Sequence, residues 1–215
     1  MRKFPYVGFS GLLLLVSCVS TVSIKSKGYV KKEAMSKDFK GSSLSPEDLL
    51  ANLSRNYFQG EGVYDQLYVE AILQTPIGEY ARLKKRGEKE GWSEKKIDKK
   101  MNKVKKRLKK KTCFHLLAKS NDEKALEASN WSIAAKIDKK KYSFRSLSKL
   151  KDNSQHSALG SSERIFDHLQ DDAQYYLESS ICFSRKKAPK EQIYLRVKPD
   201  FHETIKTIKL AWYLD

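Results

Sequence analysis

The chain has 215 residues, with 43 Lys and Arg against 26 Asp and Glu, so its formal net charge is +17. This length suits one domain with its own hydrophobic core and argues against several domains. A charge of this size calls for an anionic partner unless it serves solubility alone.

The first element in chain order is a targeting segment. Arg2 and Lys3 precede an apolar run at residues 12–16, and small residues follow that run, as in a signal peptide. We therefore expect residues 1–17 to be a signal peptide that the mature protein lacks.

The end of this segment, Leu15-Val16-Ser17-Cys18, resembles the lipobox of bacterial lipoproteins. The resemblance is limited to this first part of the chain. It implies a diacylglyceryl group on the sulfur of Cys18, cleavage just before Cys18 and acylation of the new amino group. Two or three acyl chains hold a protein on a bilayer almost permanently, since each buried methylene contributes about 0.8 kcal/mol. Val19 follows instead of Asp, which in enteric lipoproteins implies sorting to the outer membrane rather than the inner.

Two other interpretations of the N-terminus stay open. A plain secretory signal cut after Ser20 fits the small residues there, and Asn52 and Asn130 begin glycosylation sequons if the host is eukaryotic. Alternatively, residues 4–24 form an uncleaved membrane anchor, although Pro and Ser dilute the run of about 20 apolar residues that a spanning helix needs.

The segment after the signal is rich in Ser, Lys and Gly. Residues 18–44 are therefore expected to form a lipidated N-terminus and a flexible tether. The pair Ser45-Pro46 then begins a short helix that ends near residue 55, with the serine as its cap. From this point we predict a single β-rich domain over residues 45–215.

A predicted helical hairpin interrupts this domain at about residues 76–111. The pair Thr75-Pro76 is a cap followed by proline at the first helical position, and it follows a strand predicted over residues 66–74. Ser93 caps the second helix, whose apolar residues form a narrow seam. The seam consists of Ile97, Met101, Val104 and Leu108.

The rest of the chain alternates apolar and polar residues, which is strand periodicity. Strands are predicted over residues 112–119, 130–137, 141–147, 175–183, 192–197 and 204–214. A tight turn at residues 138–140 joins two of them, and residues 148–172 form a long surface connection. The pattern predicts a mainly β fold, an antiparallel sandwich or barrel-like domain with an inserted basic α-helical hairpin.

The search for catalytic motifs finds none. The chain lacks a phosphate-binding glycine loop, a metalloprotease motif and a nucleophile elbow. Three carboxylates in the polar connection suit a solvated loop better than a cation site, namely Asp167, Asp171 and Asp172. We therefore predict no enzyme activity and no cofactor.

Cys113 and Cys182 are the other two cysteines, and both lie in strand-like contexts. They are either two buried thiols or a disulfide, which an oxidising envelope permits. With His115 they offer three soft ligands to zinc, but their spacing is not specific for a metal site, and no metal is predicted.

The helical hairpin holds most of the excess of positive over negative charge. Residues 79–111 contain sixteen Lys or Arg and five acidic residues, an excess of eleven. Because the apolar seam packs inward, the basic residues of the second helix face outward, either as a solvated face or as a surface that binds anions. The predicted anion-binding residues are Lys95, Lys96, Lys99, Lys100, Lys103, Lys106, Arg107 and Lys110.

These features together predict a lipid-anchored cell-envelope lipoprotein that acts as a non-enzymatic binding or structural module. Its hairpin is expected to contact anionic lipid, lipopolysaccharide or an acidic protein. Nucleic acid is not expected, because the chain carries an export signal and no basic-aromatic binding strand is evident. The alternative function is an envelope hydrolase or small-ligand carrier that uses a pocket in the β domain.

Overall fold

The computed structural model describes residues 22–36, 44–59, 67–122, 124–149, 175–202 and 205–214. These parts of the chain contain nine strands and three α-helices. The strands are β1 (Val22–Val30), β2 (Ser54–Gln59), β3 (Leu67–Leu73), β4 (Lys111–Ser120), β5 (Trp131–Ile137), β6 (Lys140–Ser146), β7 (Tyr175–Ser184), β8 (Gln192–Pro199) and β9 (Ile205–Leu214). The helices are α1 (Pro46–Leu53), α2 (Pro76–Lys89) and α3 (Glu94–Lys110).

The strands form two sheets that pack face to face. A five-stranded sheet has the order β1-β9-β8-β5-β6, and a four-stranded sheet has the order β2-β3-β4-β7. Large side chains from both sheets meet between them, and the rings of Phe114 and Trp212 lie 5.2 Å apart. The structure thus confirms the predicted mainly β fold. Of the two predicted forms, sandwich and barrel, it is the sandwich, because the two sheets do not close into a barrel.

The N-terminal strand β1 corrects the predicted flexible tether over residues 18–44. β1 pairs in parallel with β9, from Val22 opposite Ile205 to Val30 opposite Leu214, so the tether prediction is wrong for this strand. The same pairing departs from the predicted all-antiparallel arrangement. Without β1 the backbone groups on one side of β9 would be an open sheet edge, and β1 satisfies them.

An arginine from the other sheet fixes β1 in place. The guanidinium of Arg55 on β2 donates to the backbone oxygens of Tyr29 and Ala211, at 3.2 and 3.1 Å. A Cβ atom at Gly28 would lie 2.7 Å from Arg55 Cζ, so the missing side chain makes room for the guanidinium. The folded domain therefore includes β1, which lies upstream of residue 45, the start of the domain predicted from the sequence.

The predicted helical hairpin is confirmed as α2 and α3, which connect the neighbouring antiparallel strands β3 and β4. Thr75 Oγ1 accepts from the backbone N–H of Gly78, and Ser93 Oγ accepts from that of Lys96, at 3.2 and 3.4 Å. The turn between the helices contains Gly91 at φ 64°, a conformation that glycine adopts without strain. None of the helices in the described parts of the chain is long and apolar enough to cross a bilayer.

The strand β4 is buried on both faces, although the alternation of its residues predicts a half-buried strand. Phe114 and Leu116 point into the sandwich, whereas Cys113 and His115 on the opposite face are covered by the helical hairpin. The molecule therefore has three layers: the helical hairpin, the four-stranded sheet and the five-stranded sheet.

The two cysteines of the sandwich form a disulfide. Cys113 lies directly opposite Cys182 in the register of β4 and β7, and their sulfurs are 2.04 Å apart. Of the two alternatives that the sequence leaves open, the disulfide is therefore the correct one, and neither sulfur is available as a zinc ligand. The predicted signal peptide, Cys18 and the three aspartates of the predicted surface connection lie outside the described residues.

We predict that this disulfide contributes about 4 kcal/mol to the free energy of unfolding, because it closes a long loop in the unfolded chain across a sequence separation of 69 residues. Urea unfolding with and without a reductant measures this difference. The double variant Cys113→Ala/Cys182→Ala is the control, since the reductant should leave its unfolding midpoint unchanged. A wild-type midpoint that does not respond to the reductant would contradict the prediction.

Candidate functional site

The helix α3 packs its apolar seam against α2. Leu83 on α2 is buried with the four seam residues, and Tyr80 and Trp92 flank them. A Cβ atom at Gly87 would lie 2.7 Å from Ile97 Cδ1, so this glycine lets the two helices approach closely. Because the seam faces α2, the opposite side of α3 is exposed.

Five lysines form a continuous row on that opposite side, which we call the lysine ridge. They follow one another at intervals of four, four, three and four residues, so they share one helix face. All five are exposed, and the row is about 22 Å long at 1.5 Å per residue. The lysine ridge consists of Lys95, Lys99, Lys103, Lys106 and Lys110.

Two other predicted anion-binding residues turn towards an aromatic ring. The ammonium groups of Lys96 and Lys100 each lie 4.4 Å from the centre of the Trp92 ring, and Arg86 Cζ lies 5.3 Å from it. These cation–π contacts hold three positive charges around one indole at the start of α3. Lys96 and Lys100 therefore flank the lysine ridge rather than extend it.

Arg107 does not belong to the anion-binding surface, although the sequence assigns it there. Its Nη2 donates to Gln74 Oε1 at 2.7 Å and lies 3.8 Å from Glu79 Oε2. The side chain therefore points away from the lysine ridge, towards α2 and the end of β3. On α3 this position lies at the border of the apolar seam. A guanidinium there reaches inward because buried partners are available to it.

Arg107 is part of a buried polar cluster between the hairpin and the four-stranded sheet. The members are Gln74, Glu79, Arg82, Arg107 and His115. Glu79 Oε1 lies 2.7 Å from His115 Nε2, and Glu79 Oε2 accepts from Arg82 Nη2 at 3.1 Å. Glu79 and His115 are both almost fully buried. The sequence analysis did not predict this cluster. The spacing of Glu79 and Arg82 on one helix can be read from the sequence, but the burial of Glu79 against β4 cannot.

The protonation of the cluster follows from its hydrogen bonds. Burial lowers the pKa of His115, so near neutral pH the ring is neutral. Its Nε2–H then donates to Glu79, and its Nδ1 accepts from Gln74 Nε2, which also donates to Ser180 Oγ at 2.9 Å. Burial alone would raise the pKa of Glu79, but the interactions with His115 and Arg82 outweigh it and hold this pKa below its ordinary value.

The carboxylate, imidazole and amide of the cluster are thus hydrogen-bonded to one another. Their arrangement attaches α2 and α3 to the sheet, and Arg185 adds a further link by donating from Nη2 to the backbone oxygen of Leu108 at 2.6 Å. Among the described residues, no group of three or more His, Cys, Asp or Glu side chains could hold a metal ion. Because the cluster and Arg185 attach both helices to the sheet, they fix the direction in which the lysine ridge faces.

Comparisons of this chain with protein-family models, with curated proteins and with solved structures find no match. The interpretation of the site rests on its geometry and its charge.

We predict that acid destabilises the fold through this cluster. The folded pKa of His115 is lowered, so below about pH 6.5 the unfolded chain binds a proton that the folded chain does not, and stability falls as the pH falls. The lowered pKa of Glu79 adds to this loss below about pH 4.5, for the same reason. Each of these protons lowers the free energy of unfolding by up to about 1.4 kcal/mol per pH unit.

Urea unfolding between pH 7 and pH 5 tests the contribution of His115 to this loss of stability. The variant His115→Gln should show a smaller loss of stability over this range than the wild type. The same substitution at His202, which lies outside the cluster, is the control and should leave the loss in place. An unchanged pH dependence in His115→Gln would show that the ring is not the group responsible.

Proposed function

We propose that this protein is a lipid-anchored envelope protein that binds anionic headgroups of phospholipid or lipopolysaccharide through its lysine ridge, without catalysis. The observation that carries this proposal is the uninterrupted row of five exposed lysines, opposite the seam that fixes their helix. Each lysine held near a charged leaflet contributes about 1 kcal/mol to binding.

The energetics of α3 support a binding role. Like charges three or four residues apart destabilise a helix by about 0.2–0.5 kcal/mol per pair, and the ridge contains four such neighbouring pairs. The helix tolerates this repulsion because its seam, its serine cap and the buried cluster stabilise it. An anionic surface would turn the same charges into a favourable interaction.

The position of β1 supports a location close to the bilayer. Strand β1 begins at Val22, four residues after the predicted acylation site Cys18. A fully extended chain of four residues spans at most about 14 Å. An acylated Cys18 would therefore hold the sandwich against the membrane surface, where a short-range electrostatic contact is effective.

A vesicle-binding experiment tests the ridge. Residues 22–215, which contain every described element, should bind vesicles that contain phosphatidylglycerol at low salt and should release them at about 0.5 M salt, where charges are screened within about 4 Å. Replacing all five ridge lysines by Gln should weaken binding about 100-fold or more. Co-sedimentation over a range of lipid concentrations measures both affinities.

The control variant removes the same charge elsewhere. It replaces five exposed lysines outside the hairpin by Gln: Lys31, Lys32, Lys149, Lys190 and Lys206. This variant should keep most of the vesicle binding. Equal losses in the two variants would mean that net charge alone drives association, and a wild type that ignores the vesicles at low salt would refute the proposal.

A further inference from the structure

The outer face of the five-stranded sheet carries a second basic surface, on the side of the molecule opposite the helical hairpin. The strand register places its side chains in rows across the sheet. One row runs from Tyr29 to Tyr213, and the next contains Lys27, Tyr194, Lys136 and Lys141. We call this surface the cationic face, and its positive residues are Lys27, Lys136, Lys141, Arg196 and Lys209.

The positive charges of this face have no acidic partners within the described residues. None of the five forms an ion pair there, and no carboxylate occupies the rows in which they lie. The register instead sets like charges directly opposite each other, Lys209 against Arg196 and Lys136 against Lys141. Such pairs destabilise a sheet, and a surface selected for solubility alone would mix the two signs.

Aromatic rings hold these cations in place. Lys209 Nζ lies 4.2 Å and Lys136 Nζ lies 5.7 Å from the centre of the Tyr194 ring. Arg196 Cζ lies 4.6 Å from the centre of the Phe144 ring on the edge strand β6. Cation–π contacts restrict the long side chains, so less conformational entropy is lost when an anion binds.

The exposure of the rings distinguishes between two kinds of polyanion. Single-stranded nucleic acid binds where successive bases stack on open aromatic rings. Tyr194, at the centre of the face, is only 9 % exposed because lysines cover it, whereas Tyr29 on the edge strand is 73 % exposed. Among the described residues of this face, Tyr29 is the only aromatic ring that is largely exposed, and a single ring does not form a stacking platform. The ammonium and guanidinium groups around it suit a polymer that is recognised by its charge.

We propose that the cationic face binds an acidic polysaccharide, whose carboxylates pair with these cations while a sugar ring packs on Tyr29. The face spans five strands, which is about 19 Å at about 4.8 Å per strand spacing, so it accommodates several sugar units. This inference does not rest on the lysine ridge. Together the two surfaces would let one molecule connect a membrane to an acidic polymer, since they lie on opposite layers of the fold.

The purified full-length chain in detergent, titrated with polygalacturonate, tests the proposal. The chain should bind this carboxylated polymer at low salt and should not bind neutral dextran. The variant Lys136→Gln/Arg196→Gln/Lys209→Gln should bind polygalacturonate at least about tenfold more weakly. Its unfolding midpoint should stay close to that of the wild type, because the loss of the cation–π contacts and the relief of the repulsion oppose each other.

A matched control removes three charges from α2 of the hairpin instead, as Lys84→Gln/Lys85→Gln/Lys89→Gln, and should bind polygalacturonate within about twofold of the wild type, because these exposed lysines lie outside both basic surfaces. A second variant, Lys27→Gln/Lys141→Gln, replaces only exposed residues and should also weaken binding even if the first variant is unstable.

Equal losses in the hairpin control would overturn the proposal. Tighter binding of an oligothymidylate than of polygalacturonate would overturn it in favour of nucleic acid, and the absence of any binding to the polysaccharide would overturn it outright.

Discussion

The buried contact between Glu79 and His115 is the interaction on which the orientation of the hairpin and its lysine ridge depends. A buried carboxylate is stable only while hydrogen-bonding partners surround it, and separating α2 from β4 would break its contact with His115 and leave it with Arg82 on its own helix. The Cys113–Cys182 disulfide crosses the same sheet face two residues away and adds a covalent constraint. The hairpin is thus held in one orientation, with the lysine ridge directed away from the sandwich.

The positive residues divide by chemistry into two groups. Several arginines point inward and use their planar donor sets on backbone or side-chain oxygens, as Arg55, Arg107 and Arg185 do. The lysines of the ridge are exposed, those of the cationic face are exposed or half-buried, and neither group has an acidic partner among the described residues. These arginines therefore connect the layers of this fold, and lysine supplies most of the charge of its two outer surfaces, with Arg196 as the arginine of the cationic face.

The parts of the fold that depend on local signals could be predicted from the sequence. The seam of α3, its serine cap and the positions of the strands β4 to β9 follow from spacing within one segment, and the structure confirms them. Strand β1 could not be predicted, because its Ser, Lys and Gly content resembles a linker and its partner β9 is about 180 residues away in sequence. The cationic face was missed for the same reason. Its residues come from five strands, and only the register brings Lys27, Lys136 and Lys209 together.

The proposed location of the protein depends on the predicted acylation of Cys18, and this location would decide which anions the two surfaces can meet. The most direct measurement is the mass of the N-terminal peptide of the protein isolated from its native membranes. A peptide that begins at Cys18 and carries a diacylglyceryl group, with or without an acyl chain on its amino group, is the predicted result. A peptide that begins after Ser20, or one that retains residues 1–17 with an unmodified cysteine, would contradict the account.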